Sequence, residues 1–167
     1  MNHALDRAAA ELGLLDPDHE LLRLAFGLAC VSRVQHLIED PRALACLAVL
    51  RGFLAGDANA AALAAASQEI AAIANQNSGS GSIDGSAHAA VSATYAAANA
   101  LAGRALDAAS YAAYASVYAY GGYAVGDPSA FEAEFAWQVE QLRQLAARSG
   151  RGAGVKQVAR SAANIMG

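Results

Sequence analysis

Residues 86–120 read SAHAAVSATYAAANALAGRALDAASYAAYASVYAY. Alanine has the highest intrinsic helix propensity, and the run holds no proline and very little charge. It therefore predicts two helices, about Ser86–Ala102 and about Ala105–Tyr120, interrupted near Gly103 and stopped at Gly121-Gly122. Side chains this small let helix axes approach closely, which places the pair inside a compact bundle rather than an elongated coiled coil. From Ala108 to Gly126 there are 19 consecutive uncharged residues, near the length of a membrane span. They are alanine, tyrosine, serine and glycine rather than leucine, and no basic loop flanks them, so a central packed helix is the better reading.

The rest of the chain extends that reading. A length of 167 residues corresponds to one domain, able to bury roughly 70% of its unfolded surface. There are 46 alanines and 3 prolines, with 16% charged and 7% aromatic residues, which is too poor in β-branched residues for an all-β fold. Each proline follows an aspartate, at Asp16-Pro17, Asp40-Pro41 and Asp127-Pro128. Aspartate caps free backbone N–H groups and proline sacrifices no bond at the first helical position, so each pair predicts a helix start. Helices follow at about 4–14, 17–38, 41–55 with Gly56 as its stop, 59–74, and 128–147. The expected fold is all-α, a compact alanine-rich bundle of six or seven helices over residues 1–147. NQNSGSGSIDGS, residues 75–86, reads as a flexible loop. Residues 148–167 read as a basic tail, flexible or a short amphipathic helix carrying Val155, Val158, Ala159, Ala162 and Ile165.

The formal charge of −4 is divided unevenly. Arg148, Arg151, Lys156 and Arg160 give the tail +4, and residues 1–147, with 15 acids and 7 bases, carry −8. An acidic body repels nucleic acid and anionic membranes and steers a basic protein toward itself. Cys30 and Cys46 lie in apolar helical runs, as buried reduced thiols do, and MNHALDRAAAELG has no secretory pattern, so the expected compartment is the reducing cytoplasm. The four histidines, His3, His19, His36 and His88, are scattered, with no partner at metal spacing on one helix face. There is no phosphate loop with lysine, no GxSxG elbow and no paired-acid motif. These residues point to no enzyme, no cofactor and no metal.

Aromatic residues carry the stronger signal. At 100° per residue, Tyr111, Tyr114 and Tyr118 fall within about 60° of one another, with Ala109, Ala113 and Ser116 opposite. Either the tyrosines face outward as anchors for a partner, or they fill the bundle with hydroxyls at its rim. In the last helix Phe131, Phe135, Val139, Leu142 and Ala146 form one stripe, and Trp137 sits about 140° from its centre. Trp137 either meets another element or is a recognition residue. Tyr111, Tyr114, Tyr118 and Trp137 are the candidate partner-binding residues.

The run LLRLAFGLACVSRVQHLIEDPRALACLAVLRGFLAGDAN, followed by AHAAVSATYAAANALAG and EFAWQVEQLRQL, resembles an alanine-rich family of bacterial immunity proteins, the immunity-five-like group of polymorphic toxin systems. The resemblance covers roughly residues 20–146 and is carried by Arg33, His36-Leu37, Asp40-Pro41-Arg42, Trp137-Gln138 and Leu142. It implies stoichiometric neutralisation of a cognate toxin in the cytoplasm, without catalysis. Charge complementarity would suit a basic toxin. The competing readings are a helical adaptor that self-associates through alanine-rich faces and a binder of small apolar ligands between helices.

Overall fold

A computed structural model describes residues 1–76 and 86–165, with residues 86 and 151–165 as backbone alone. Among the described residues there are seven α-helices and no strand. They are α1 (His3–Glu11), α2 (Glu20–Ser32), α3 (Pro41–Ala55), α4 (Ala60–Gln76), α5 (Ser86–Leu101), α6 (Ala105–Tyr118) and α7 (Glu132–Ile165). Short 3-10 turns occupy Pro17–His19, Gln35–Leu37, Gly122–Gly126 and Pro128–Phe131. The all-α bundle expected from composition is the fold observed.

All three Asp-Pro pairs open helical segments, but only Asp40-Pro41 opens an α-helix directly. Asp40 Oδ1 accepts a bond from the Arg42 backbone N–H at 2.8 Å, and its carboxylate pairs with the Arg42 guanidinium at 2.7 Å. That guanidinium holds the Asp40 carboxyl below its ordinary range. At Asp16 and Asp127 the chain first makes a 3-10 turn, and α2 and α7 begin at Glu20 and Glu132. The Asp16 side chain makes no capping bond; its carbonyl instead accepts from the Arg23 guanidinium at 2.6 Å.

The helix expected over 17–38 is correspondingly shorter, because α2 ends at Ser32. A 3-10 turn at Gln35–Leu37 and an extended Ile38 follow, and Asp40, the residue before Pro41, is held out of the α region by the proline ring. Gly56 and Gly103 stop α3 and α5 in left-handed conformations, with φ of +85° and +71°. Residues 77–85 of the expected glycine-serine loop lie outside the described residues, while Asn75 and Gln76 end α4 and Ser86 starts α5. Helix α7 runs across residue 148, where the basic part of the sequence begins.

Helix α2 is the centre of the bundle and packs against α3, α5, α6 and α7. It buries Leu22, Leu24, Phe26, Gly27, Cys30 and Val31, and presents Leu21 to solvent. Helices α5 and α6 form an antiparallel hairpin whose seam is alanine: Ala93, Ala96, Ala97 and Ala100 against Ala105, Ala108, Ala109 and Ala112 are all buried. Helix α4 turns Leu63, Ala66, Ile70 and Ile73 inward between α3 and α5. Helix α1 lies on α7. Both cysteines are buried and reduced. Burial pushes the Cys30 thiol far up, with the nearby Glu134 charge adding and Arg33 opposing. Burial also raises Cys46, reinforced by Glu69. No described helix is long and apolar enough to cross a membrane.

Gly27 is the point of closest approach. A Cβ there would stand 3.1 Å from both Cα and Cβ of Ala100 and 3.7 Å from Cβ of Ala108. Gly52, in α3, would meet only Ala58 Cβ at 3.5 Å, an ordinary contact. Replacing a mid-helix glycine by alanine gains roughly 0.5–1 kcal/mol of backbone entropy where there is room. Gly52→Ala should therefore raise stability by about that amount. In Gly27→Ala the same gain is opposed by overpacking of about 1–3 kcal/mol against the α5 backbone, which cannot rotate aside as a long side chain can. Urea denaturation of the two variants should place Gly27→Ala below wild type and Gly52→Ala above it; the reverse order would contradict the close α2–α5 packing.

Candidate functional site

Helix α6 has two unlike sides because its sequence does. Ala105, Ala108, Ala109, Ala112 and Ala115 are buried in the main core, and Ala113 and Val117 are buried against Phe131. The tyrosines are consequently left on the outer edge. Tyr111 is 39% exposed, Tyr114 is 41% exposed and Tyr118 is half-buried. They do not stand singly. Tyr111 stacks on Tyr95 of α5 with centroids 5.3 Å apart, and Tyr118 stacks on His88 at 5.4 Å. Tyr114 is 6.3 Å from Tyr118 and meets Phe131 edge-on at 5.3 Å, and Phe131 in turn lies 5.5 Å from Phe135. His88, Tyr118, Tyr114, Phe131 and Phe135 thus form one continuous aromatic row across α5, α6 and the start of α7.

This row borders a groove of about 600 Å³ between α1, α6 and the 128–138 segment. Leu5, Leu106, Val125, Phe131 and Phe135 supply apolar lining, and Tyr114 lies on its wall. Asp6 of α1 and Asp107 in the first turn of α6 add two carboxylates. Arrangements of this kind, mostly apolar with a few polar groups, are where ligands and partner side chains are held.

Trp137 is elsewhere. It is half-buried, packed against the core, and the Arg33 guanidinium lies 4.1 Å from the ring centroid. The same guanidinium grips Glu134, with Nη2 and Nε each 2.9 Å from Oε2 and Nε 3.2 Å from Oε1. Glu134 is 6% exposed, so this is a buried carboxylate compensated by a cation that is itself stacked on an aromatic face. One turn on, Gln138 is buried and donates to the Ala109 carbonyl at 2.8 Å. Its oxygen accepts from Asn2 Nδ2 at 3.2 Å, and Asn2 also donates to the Phe135 carbonyl and caps α1 through Leu5 N–H. Of the four candidate residues, then, Tyr111, Tyr114 and Tyr118 share one edge, while Trp137 belongs to a clamp between α2 and α7.

Residues that sequence reasoning did not single out are prominent on the surface. Tyr120 and Tyr123, either side of Gly121-Gly122, are 80% and 86% exposed. The signal for them was present, since two tyrosines flanking a helix stop cannot both pack on a seam that has ended. Tyr120 also lines a second hollow of about 470 Å³ with Arg33, Val34, His36, Leu37, Ser116 and Ala119. Among the described residues no three of histidine, cysteine, aspartate and glutamate come together as a metal-holding group. His88 is engaged by Tyr118.

Residues 16–145 fit the model of the family described as "Imm-5 like putative immunity protein". No curated protein and no solved structure matches the chain. The chain belongs to this Imm-5 like family, over a span that takes in the α2–α7 clamp, the aromatic row and nearly all of the α5–α6 hairpin's surroundings.

The clamp makes a stability prediction separate from any partner. Arg33→Ala leaves Glu134 buried without its cation and uncovers one face of Trp137, so it should cost on the order of 2 kcal/mol. Because Trp137 is the single tryptophan, its emission should shift to the red in the folded variant. Unchanged emission together with unchanged thermal stability would mean that the clamp is not formed in solution.

Proposed function

We propose that this protein is an immunity factor that neutralises a cognate toxin in the cytoplasm by stoichiometric binding, without catalysis. The observation that carries the reading is membership of the Imm-5 like family across residues 16–145. The contact surface in this reading is the outer edge of α6, with Tyr111, Tyr114 and Tyr118 as anchors, and Trp137, beside Arg33, is a separate contact away from that edge. Tyrosines suit this task because they bring a large, stiff surface with a polar tip and lose few rotamers on contact. Their stacking partners hold them in place before a partner arrives, which lowers the ordering cost of binding. The −8 balance of residues 1–147 favours encounter with a basic toxin domain.

Co-expression with the product of the adjacent gene tests the reading through growth rescue and isolation of a one-to-one complex. Tyr111→Ala and Tyr114→Ala should each lose about 2 kcal/mol or more of binding, roughly thirtyfold in Kd, beyond the loss of about 0.5–1.5 kcal/mol of stability that removing one ring pair brings, which thermal unfolding reads separately. Trp137→Ala should lose stability as well as binding, since its ring is covered by Arg33. Toxicity that persists beside soluble, folded protein would overturn the reading, and a self-associating species in light scattering would then favour the adaptor alternative.

A further inference from the structure

We propose that the groove between α1, α6 and the 128–138 segment is a receptor for one arginine side chain of the bound toxin, an inference that rests on the inhibitor reading above. The groove offers the three things that an arginine needs and a lysine uses less well. Leu5, Phe131 and Phe135 form an apolar lining along which a three-carbon stem can lie. Tyr114, T-shaped to Phe131, lines the groove with a partly exposed ring, the kind of surface on which a planar cation stacks. Asp6 and Asp107, contributed by different helices, supply carboxylates that a forked guanidinium engages with several N–H donors at once.

Neither carboxylate is consumed by the fold. Asp107 is exposed and has no hydrogen-bonded or ionic partner for its side chain among the described residues, and the ionic neighbour of Asp6 there is His3, 3.9 Å away and itself exposed. Other acids are used internally, Asp40 by Arg42, Asp127 by Ser129 and Glu140 by Gln144. The protein already applies the same chemistry to itself: Arg33 lies over Trp137 with its fork on Glu134. In that clamp cation, ring and carboxylate are all present; in the groove the ring and the carboxylates are present and the acidic body favours a cation from outside. A groove of about 600 Å³ has room for one such side chain with its flanking backbone.

The test needs no toxin. The full chain is titrated with an N-acetyl arginine amide and, in parallel, with its citrulline counterpart, which keeps the shape and loses the charge, while backbone amide resonances are followed. The expected result is saturable shifts at Asp107, Ser110 and Tyr114 with the arginine probe, and binding at least about tenfold weaker with citrulline or in Asp107→Asn, as loss of a charge-assisted bond requires. Asp107→Asn should fold as the wild type does, because the carboxylate is exposed and unpaired; Asp6→Asn provides a second, independent reading. Equal binding of citrulline means an apolar or neutral occupant, shifts on dilution of the protein alone mean a second copy of the chain, and the absence of shifts means no receptor. Each of these overturns the proposal. Toxin neutralisation that survives in Asp107→Asn with no arginine binding sinks the groove and leaves the inhibitor reading standing. Arginine-selective shifts in a protein that neutralises no toxin do the opposite.

Discussion

The close approach of α2, α5 and α6 at Gly27, Ala100 and Ala108 sets the conditions for everything else in the molecule. At 3.1 Å from the place where a Cβ of Gly27 would stand, the α5 backbone leaves room for hydrogen and nothing larger. Around that point α5 and α6 bury alanine over several turns. Large side chains on the same helices must then leave on the far side. Tyr95, Tyr111, Tyr114 and Tyr118 stand there because close packing excludes them from the seam, and their row is the counterpart of the alanine face. Fold and candidate site are two consequences of one steric constraint.

An alanine seam is tight but poorly keyed, since one small side chain resembles the next and a shift along the helix axis meets little opposition. Directional polar contacts fix how α7 sits against α1, α2 and α6. Gln138, buried between α6 and α7, can donate to the Ala109 carbonyl while accepting from Asn2 only at one relative position of three helices. Arg33 and Glu134 do the same for α2 and α7. Leaving either group buried without its partner would cost more than the bond contributes, which makes slipped arrangements unfavourable. The Trp137-Gln138 pair that stands out in the sequence is thus accounted for by two different anchors on adjacent residues, one stacked under Arg33 and one joined to α1 and α6.

Much of this architecture was legible beforehand, for physical reasons that the individual residues make plain. Alanine propensity and the glycines at 56 and 103 define helices locally, and the stripe Leu63, Ala66, Ile70 and Ile73 identifies its inner face by spacing alone. The Asp-Pro pairs announce helical entry but do not distinguish a 3-10 turn from an α-helix, because both accept proline at the first position; hence α2 and α7 begin later than the pairs suggest. The outward edge of α6 was one of two readings, since periodicity separates two faces without telling which is inside. Burial of the alanine face decides it. The groove was not legible at all. Leu5, Asp107 and Phe135 are far apart in sequence, and only the docking of α1 on α7 brings them round one hollow.

Charge acts on two scales here, and the structure separates them. Pairing Glu134 with Arg33 and Asp40 with Arg42 removes equal numbers of acids and bases, so the net −8 of residues 1–147 is unaltered and still sets the distant field. That field is screened over about 8 Å at physiological salt, so it governs how quickly a basic partner is drawn in and makes the association rate sensitive to ionic strength. Residence is another matter, because it depends on what is desolvated once the surfaces meet. On the tyrosine edge that is aromatic area held in place by stacking, and in the groove it is a pair of carboxylates set against an apolar lining. An acidic chain with scattered aromatics would attract a basic protein without retaining it. Here the alanine seam gathers the aromatics into one row beside the two carboxylates.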